Sequence, residues 1–310
     1  MGRSALLFPG QGSQYVGMAR DIYDALPDAR ATIDRADQLL GFPLSRLMFE
    51  GPGDLLTRTD NAQPAIFVAS IALLRSADLP LADVSCVAGH SVGEYSAVVA
   101  AGAMDFDEAL RLVRRRGELM HQSGTETPGG MLAVLGLEDD AVEEACADVR
   151  PLVVCTANYN APGQTIVSGE LAGLEAVTHA LKARGARRVL PLNVSAAFHS
   201  PVMAHAAKLL AEDIRGAAIR DPRWPVVGNA SAAPLRTAGD LQEELAEQIA
   251  SPVRWHSTIR YMLDAGVTTF IEVGPGKVLT GLMKRMGATS EARNVSDLAS
   301  LRSLANAVAG

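Results

Sequence analysis

Short, uninterrupted apolar runs alternate along this chain with longer stretches in which apolar positions recur at helical spacing. Ala5-Leu6-Leu7-Phe8 and Val84-Ser85-Cys86-Val87-Ala88 are of the first kind, and helix-like segments over 15–25 and 94–101 follow them. That rhythm predicts an α/β protein with a parallel sheet. A further helix is expected over 105–122, where Leu110, Val113, Leu119 and Met120 share one side. Thr125 to Gly130 has the composition of a connector, and the texture then changes. Over 131–192 the order becomes strand (131–135), helix (141–149), strand (152–157), strand (164–168), helix (171–184) and strand (188–192). This βαββαβ order is that of the ferredoxin-like motif. The expectation is a main domain built from 1–127 and 197–310, interrupted by a small ferredoxin-like domain over 128–196. A short strand and helix close the chain over 291–310.

Composition narrows the classes of function. With 310 residues, 48% of them hydrophobic, the chain can bury a large core. A formal net charge of -7 argues against nucleic acid as a partner, because phosphate neutralisation needs a basic surface. Three cysteines, Cys86, Cys146 and Cys155, are too few and too widely spaced for a disulfide framework or a zinc site. The apolar stretch at the N-terminus is too short for a signal peptide, and no run approaches the ~18 residues of a membrane span. A soluble, cytoplasmic protein is expected.

Candidate chemistry starts at Gly89-His90-Ser91-Val92-Gly93, between the 84–88 run and the next helix. A serine between two glycines at a strand-to-helix turn is the nucleophile-elbow pattern, in which side chains at the glycine positions would collide with the turn. The bland alternative is an exposed serine in a glycine-rich turn. A serine hydroxyl needs a base. Of six histidines, His90 lies inside the elbow with its ring directed away from Ser91, and His121, His179, His205 and His256 lie in or beside helices. His199 lies in a passage, 194–201, where the chain re-enters the main domain, the kind of loop that overhangs a parallel sheet's carboxyl edge. Phe8 to Gln14 forms a glycine-rich loop after the first strand, suited to converge N–H groups on an anion, but it has neither a dinucleotide nor a P-loop signature. Arg114, Arg115 and Arg116 span about 200° of a helix, so a solvated face is expected for the first two while one member can turn inward to grip a carboxylate.

Taken together, the sequence resembles the malonyl-CoA:acyl carrier protein transacylases and the related acyltransferase domains of polyketide synthases. The resemblance runs almost end to end, through Phe8 to Gln14, Gln63-Pro64-Ala65, Gly89 to Glu94, Arg116-Gly117, Ala157 to Gln164, Ala197 to Ser200, Ser251 to Trp255 and Glu272 to Leu279. It implies an α/β-hydrolase-like main domain, Ser91 as acylated nucleophile, and His199 as base and then acid. It also implies Gln11 and Val92 N–H groups as the oxyanion hole, and a main-chain carbonyl at Gln248 in place of a triad acid. Arg116 would grip the malonyl carboxylate, with Gln63 and Asn160 also at the substrate. Phe198 is the residue of malonyl-selective members, its ring filling the space an α-methyl group needs. Ala197-Phe198-His199-Ser200 is closer to discrete polyketide acyltransferases than to bacterial fatty-acid enzymes, and both pathways stay open. The substrates would be malonyl-CoA and the phosphopantetheine thiol of an acyl carrier protein, with no metal or redox cofactor.

Carrier proteins are acidic, so a local basic patch is expected to receive one: Lys182, Arg184, Arg187 and Arg188 on the small domain, with Lys284 and Arg285 across the cleft. Three alternatives share the pattern. They are a thioesterase or editing hydrolase, a transferase of other acyl units between carriers, and a non-catalytic subunit, which the presence of both Ser91 and His199 disfavours.

Overall fold

β1 (Arg3–Phe8) is buried from its second residue onward, and its side chains alternate between two cores. Leu6 and Phe8 join the larger core, while Ala5 and Leu7 join a smaller one with Cys86, Ala88, Trp255 and Phe270. A strand covered on both faces has no polar side to show, which is why it is continuously apolar in sequence. The computed structural model describes residues 3–77, 79, 81–194, 196–287 and 290–309. Ser195, in the passage leading to His199, lies outside the described residues.

The remaining strands are β2 (Val84–Gly89), β3 (Gly129–Leu135), β4 (Val154–Ala161), β5 (Gln164–Glu170), β6 (Arg188–Pro191), β7 (Val226–Val227), β8 (Pro234–Leu235), β9 (Val267–Val273) and β10 (Glu291–Val295). They form a six-stranded sheet in the order β10-β9-β1-β2-β7-β8 and a four-stranded sheet in the order β4-β5-β3-β6. The first is parallel except for the β7–β8 pair. In the second every neighbouring pair is antiparallel, as the split βαβ order requires. Helices Asp139–Asp148 and Leu171–Ala183 cover one face of it through a core that includes Val134, Val142 and Val177. Its other face, carrying Met131, Ala133 and Ile166, turns toward the large sheet and walls a cleft.

Several boundaries differ from the sequence expectation, each for a local reason. The helix expected over 15–25 begins only at Arg20, because Gly17 (φ 98°) and Ala19 (φ 61°) adopt left-handed backbone that breaks a helix. The helix expected over 105–122 is Phe106–Glu126, so the connector shrinks to Thr127 and Pro128 before β3. The strand expected over 152–157 is displaced to Val154–Ala161. Helix Thr59–Ser76, unforeseen, runs through the larger core with residues 59–73 all buried, so its sequence has no polar stripe to mark it. The terminal strand and helix are present as β10 and Leu298–Ala309. Among the described residues no helix is long and apolar enough to cross a membrane, and the three cysteines are unpaired.

β1 and β2 end side by side, Phe8 opposite Gly89, and the loops that follow them meet at the sheet's carboxyl edge. Contact there is backbone to backbone. A Cβ on Gly89 would lie 1.9 Å from the Gly93 carbonyl carbon, and one on Gly93 would lie 2.2 Å from Phe8 O. Gly89→Ala and Gly93→Ala should each lower stability by ~3 kcal/mol, the upper end for overpacking. By contrast, Gly281→Ala, in open space on helix Val278–Arg285, should raise it by about 0.5–1 kcal/mol. Urea unfolding of the three variants checks the contrast.

Candidate active site

A cleft of about 450 Å³ lies between the two sheets, with Gln11, Ser91, Arg116 and His199 on its floor and Met131, Asn160 and Ile166 on its opposite wall. Ser91 sits at the tip of the elbow with φ 52°, a left-handed conformation that serine adopts only when its surroundings impose it. The surroundings do so through two amides. Ser91 N–H donates to Asn229 Oδ1 at 2.7 Å, and Ser91 O accepts from Gln248 Nε2 at 3.0 Å. Asn229 Nδ2 in turn donates to Gly89 O at 2.7 Å.

His199 Nε2 lies 2.8 Å from Ser91 Oγ. His199 Nδ1 faces two main-chain carbonyls, Gln248 O at 3.0 Å and Ser251 O at 3.1 Å, which can only accept. The proton is therefore assigned to Nδ1, leaving Nε2 to accept from the serine hydroxyl. His199 also has left-handed backbone (φ 54°), tied by its N–H to Ile249 O at 3.1 Å. Burial, then the positive charge of Arg116, depresses its pKa to about 3, against the pull of the two carbonyls. The imidazole is thus neutral at rest.

Among the described residues, the N–H groups of Gln11 and Val92 donate to no protein acceptor, so both are open to an incoming oxygen. The loop bearing Gln11 is braced by its own side chain, whose Oε1 accepts from Thr59 Oγ1 at 2.8 Å. Thr59 Oγ1 accepts in turn from Gln63 Nε2 at 2.8 Å.

Of the three arginines, Arg116 is the one that turns inward. It is 1% exposed, and its Nη1 donates to Gln63 Oε1 at 2.6 Å. Its Nη2 donates to Ser91 Oγ at 3.0 Å and Gln248 Oε1 at 2.8 Å. All three acceptors are neutral, its Nε has no partner, and no carboxylate of the described residues pairs with it. Burial pulls its pKa down to about 10, still far above neutrality. Arg115 pairs at the surface with Asp213. Arg114 departs from the expected solvated face: it is three-quarters buried, with Nη1 donating to Asp60 O at 2.6 Å and Nε to Glu118 at 2.7 Å.

Phe198 is buried in the larger core and lines the cleft. His90 turns from Ser91, and its Nε2 meets Asn160 Oδ1 at 2.9 Å. The other four histidines line no part of the cleft. Lys182, Arg187, Arg188, Lys284 and Arg285 are exposed, whereas Arg184 is engaged by Asp148. Asn229 and Thr59 were not legible in advance. Their partners lie 138 and 48 residues away, beyond the reach of any spacing rule.

The acyl transferase domain model matches residues 5–306. The malonyl CoA-acyl carrier protein transacylase of Bacillus subtilis is 43% identical over 96% of this chain and 94% of its own, and that of Escherichia coli K12 is 40% identical over 96% and 97%. A malonyl-transacylase solved in complex with a type II polyketide synthase acyl-carrier protein superposes with a TM-score of 0.94, at 39% identity over 98% of this chain and 99% of that one. A Vibrio cholerae acyl carrier protein S-malonyltransferase superposes at 0.92 with 39% identity, over 97% and 99%. Identity of about 40% over nearly the whole chain, with the acyl transferase model matching residues 5–306, places the chain in the malonyl-CoA:acyl carrier protein transacylase family of acyl transferases.

Proposed function

We propose that the protein transfers malonyl groups from malonyl-CoA to the phosphopantetheine thiol of an acyl carrier protein, through an ester on Ser91. The observation that carries this reading is Arg116, a buried guanidinium with only neutral acceptors, 3.0 Å from the nucleophile. A buried cation is costly without a counter-charge, and an acyl group ending in a carboxylate supplies one.

The chemistry follows from the distances. Ser91 Oγ attacks the thioester carbon while His199 Nε2 takes its proton, and Gln11 and Val92 N–H groups receive the oxyanion. Loss of one such donor in a comparable site lowers kcat by about 10²–10³. As the tetrahedral intermediate collapses, the imidazolium returns the proton to the departing coenzyme A sulfur. In the second half the carrier's thiol gives its proton to His199 and attacks the ester carbon, and as the new intermediate collapses the imidazolium returns that proton to the departing Ser91 Oγ, so the kinetics are ping-pong. Gln63 holds the guanidinium in place, Phe198 limits the space beside the α-carbon, and Asn160 borders the channel. The acid–base and N–H groups named are all that this route calls on. The catalytic machinery belongs to a domain of residues 1–127 and 197–310, with 128–196 inserted as a second domain. The exposed cations Lys182, Arg187, Arg188, Lys284 and Arg285 receive the acidic carrier. The pathway is fatty-acid or polyketide synthesis in the cytoplasm, in keeping with three unpaired cysteines.

Intact mass after brief exposure to malonyl-CoA should show one malonyl adduct, absent from Ser91→Ala; an adduct that water clears as fast as a carrier thiol does would instead mark a hydrolase. Arg116→Ala should lower malonyl loading by at least about 100-fold, the scale of losing bonds to a charged group, while acetyl loading persists. Equal loss of both in a kinetic comparison would remove the carboxylate-binding role.

Acid should leave the base intact. Because the folded pKa of His199 is depressed, its neutral form survives well below pH 6.5, so single-turnover loading of Ser91 should be nearly unchanged between pH 7.5 and 5.5. A rate that halves near pH 6.5 would show that burial and Arg116 do not control this imidazole.

A further inference from the structure

Glu94, three residues beyond the nucleophile, is fully buried at 0% exposure. Its Oε1 accepts from the Asn229 main-chain N–H at 3.0 Å, and its Oε2 accepts from Gln248 Nε2. Burial, with Glu244 adding, pushes its carboxyl well up. Yet both oxygens face N–H donors and neither faces an acceptor, an arrangement that serves the carboxylate form. Glu244 is itself occupied, accepting from Ala230 and Ser231 N–H groups.

An amide side chain has a donor end and an acceptor end. A carboxylate at one end of Gln248 therefore dictates its orientation: Nε2 toward Glu94 and Ser91 O, Oε1 toward Arg116 Nη2. We propose that Glu94 is a positioning residue for malonyl recognition, serving as counter-charge to Arg116 at one remove, through the Gln248 amide. A carboxylate paired directly with Arg116 would occupy the guanidinium and compete with the substrate's own. Set behind a glutamine, the same charge lowers the cost of burying the cation and leaves its open edge to the acyl group. The inference rests on the malonyl-transfer reading above.

Glu94→Gln keeps the shape and changes only the polarity. Its Oε1 can still accept from Asn229, but its amide nitrogen then meets Gln248 Nε2, donor against donor. Gln248 must flip or let go, and Arg116 loses an acceptor. The experiment compares wild type, Glu94→Gln, Gln248→Met and the double variant in Ser91 loading from malonyl-CoA and acetyl-CoA, with Tm for each. Gln248→Met removes the amide but keeps the main-chain carbonyl used by His199. Expected for Glu94→Gln is a KM for malonyl-CoA raised roughly tenfold or more, the factor that loss of a hydrogen bond to a charged group brings, with acetyl loading falling by a clearly smaller factor that reflects only the Ser91 carbonyl's loss of the Gln248 amide. The double variant should be no worse than the poorer single one, since both act through one contact. Unchanged malonyl loading in Glu94→Gln overturns the proposal. So do additive losses, or an equal fall for both donors with a lowered Tm. Wild type that takes no malonyl from malonyl-CoA would instead overturn the function reading itself.

Discussion

A guanidinium buried without a carboxylate in contact is the constraint around which the cleft is arranged. Arg116 cannot be hydrated at 1% exposure, so its charge must be spread over neutral acceptors. Those acceptors are the parts of the site: Gln63, which leads through Thr59 to the Gln11 loop; Gln248, whose carbonyl orients His199; and Ser91 Oγ. One cation thus draws together five segments far apart in sequence.

The backbone carries a matching strain. Ser91 and His199 are both non-glycine residues in left-handed conformation, a state that costs of order 1–3 kcal/mol each and persists only when over-determined. Asn229 and Gln248 hold the serine from its N–H and carbonyl sides, and Ile249 holds the histidine. The short segment 248–251 therefore bears on Ser91, His199 and Arg116 at once, which explains why Gln248 lies in the middle of the cleft.

Much of this was legible in the chain, because the signals were local. The elbow depends on glycines two residues either side of Ser91, and the second sheet declares itself by the βαββαβ order. Helix Thr59–Ser76 was hidden by the burial of its residues 59–73, and the late start at Arg20 by the left-handed turn at Ala19, which no composition rule marks. Asn229 and Thr59 were hidden for a different reason: an amide or hydroxyl earns its place by what the fold brings opposite it. Which arginine turns inward is a question of helical phase relative to a neighbour: the residues themselves leave it open, the resemblance points to Arg116, and the packing of Phe106–Glu126 against Thr59–Ser76 turns that residue in.

His199 is steadied by two carbonyl dipoles where a serine hydrolase would place a carboxylate. The two carbonyls fix the ring and favour its charged form, but burial and the charge of Arg116 outweigh them, so the imidazole is a reluctant proton acceptor. Reluctance of this kind discriminates between nucleophiles. A thiol, with a pKa near ~8.5, yields its proton to a weak base far more readily than water, at ~15.7. On the transfer route proposed above, the loading half, in which this base must take the proton of a serine hydroxyl about as weakly acidic as water, is then the half that leans hardest on the Gln11 and Val92 N–H groups, while a carrier's thiol asks least of the imidazole.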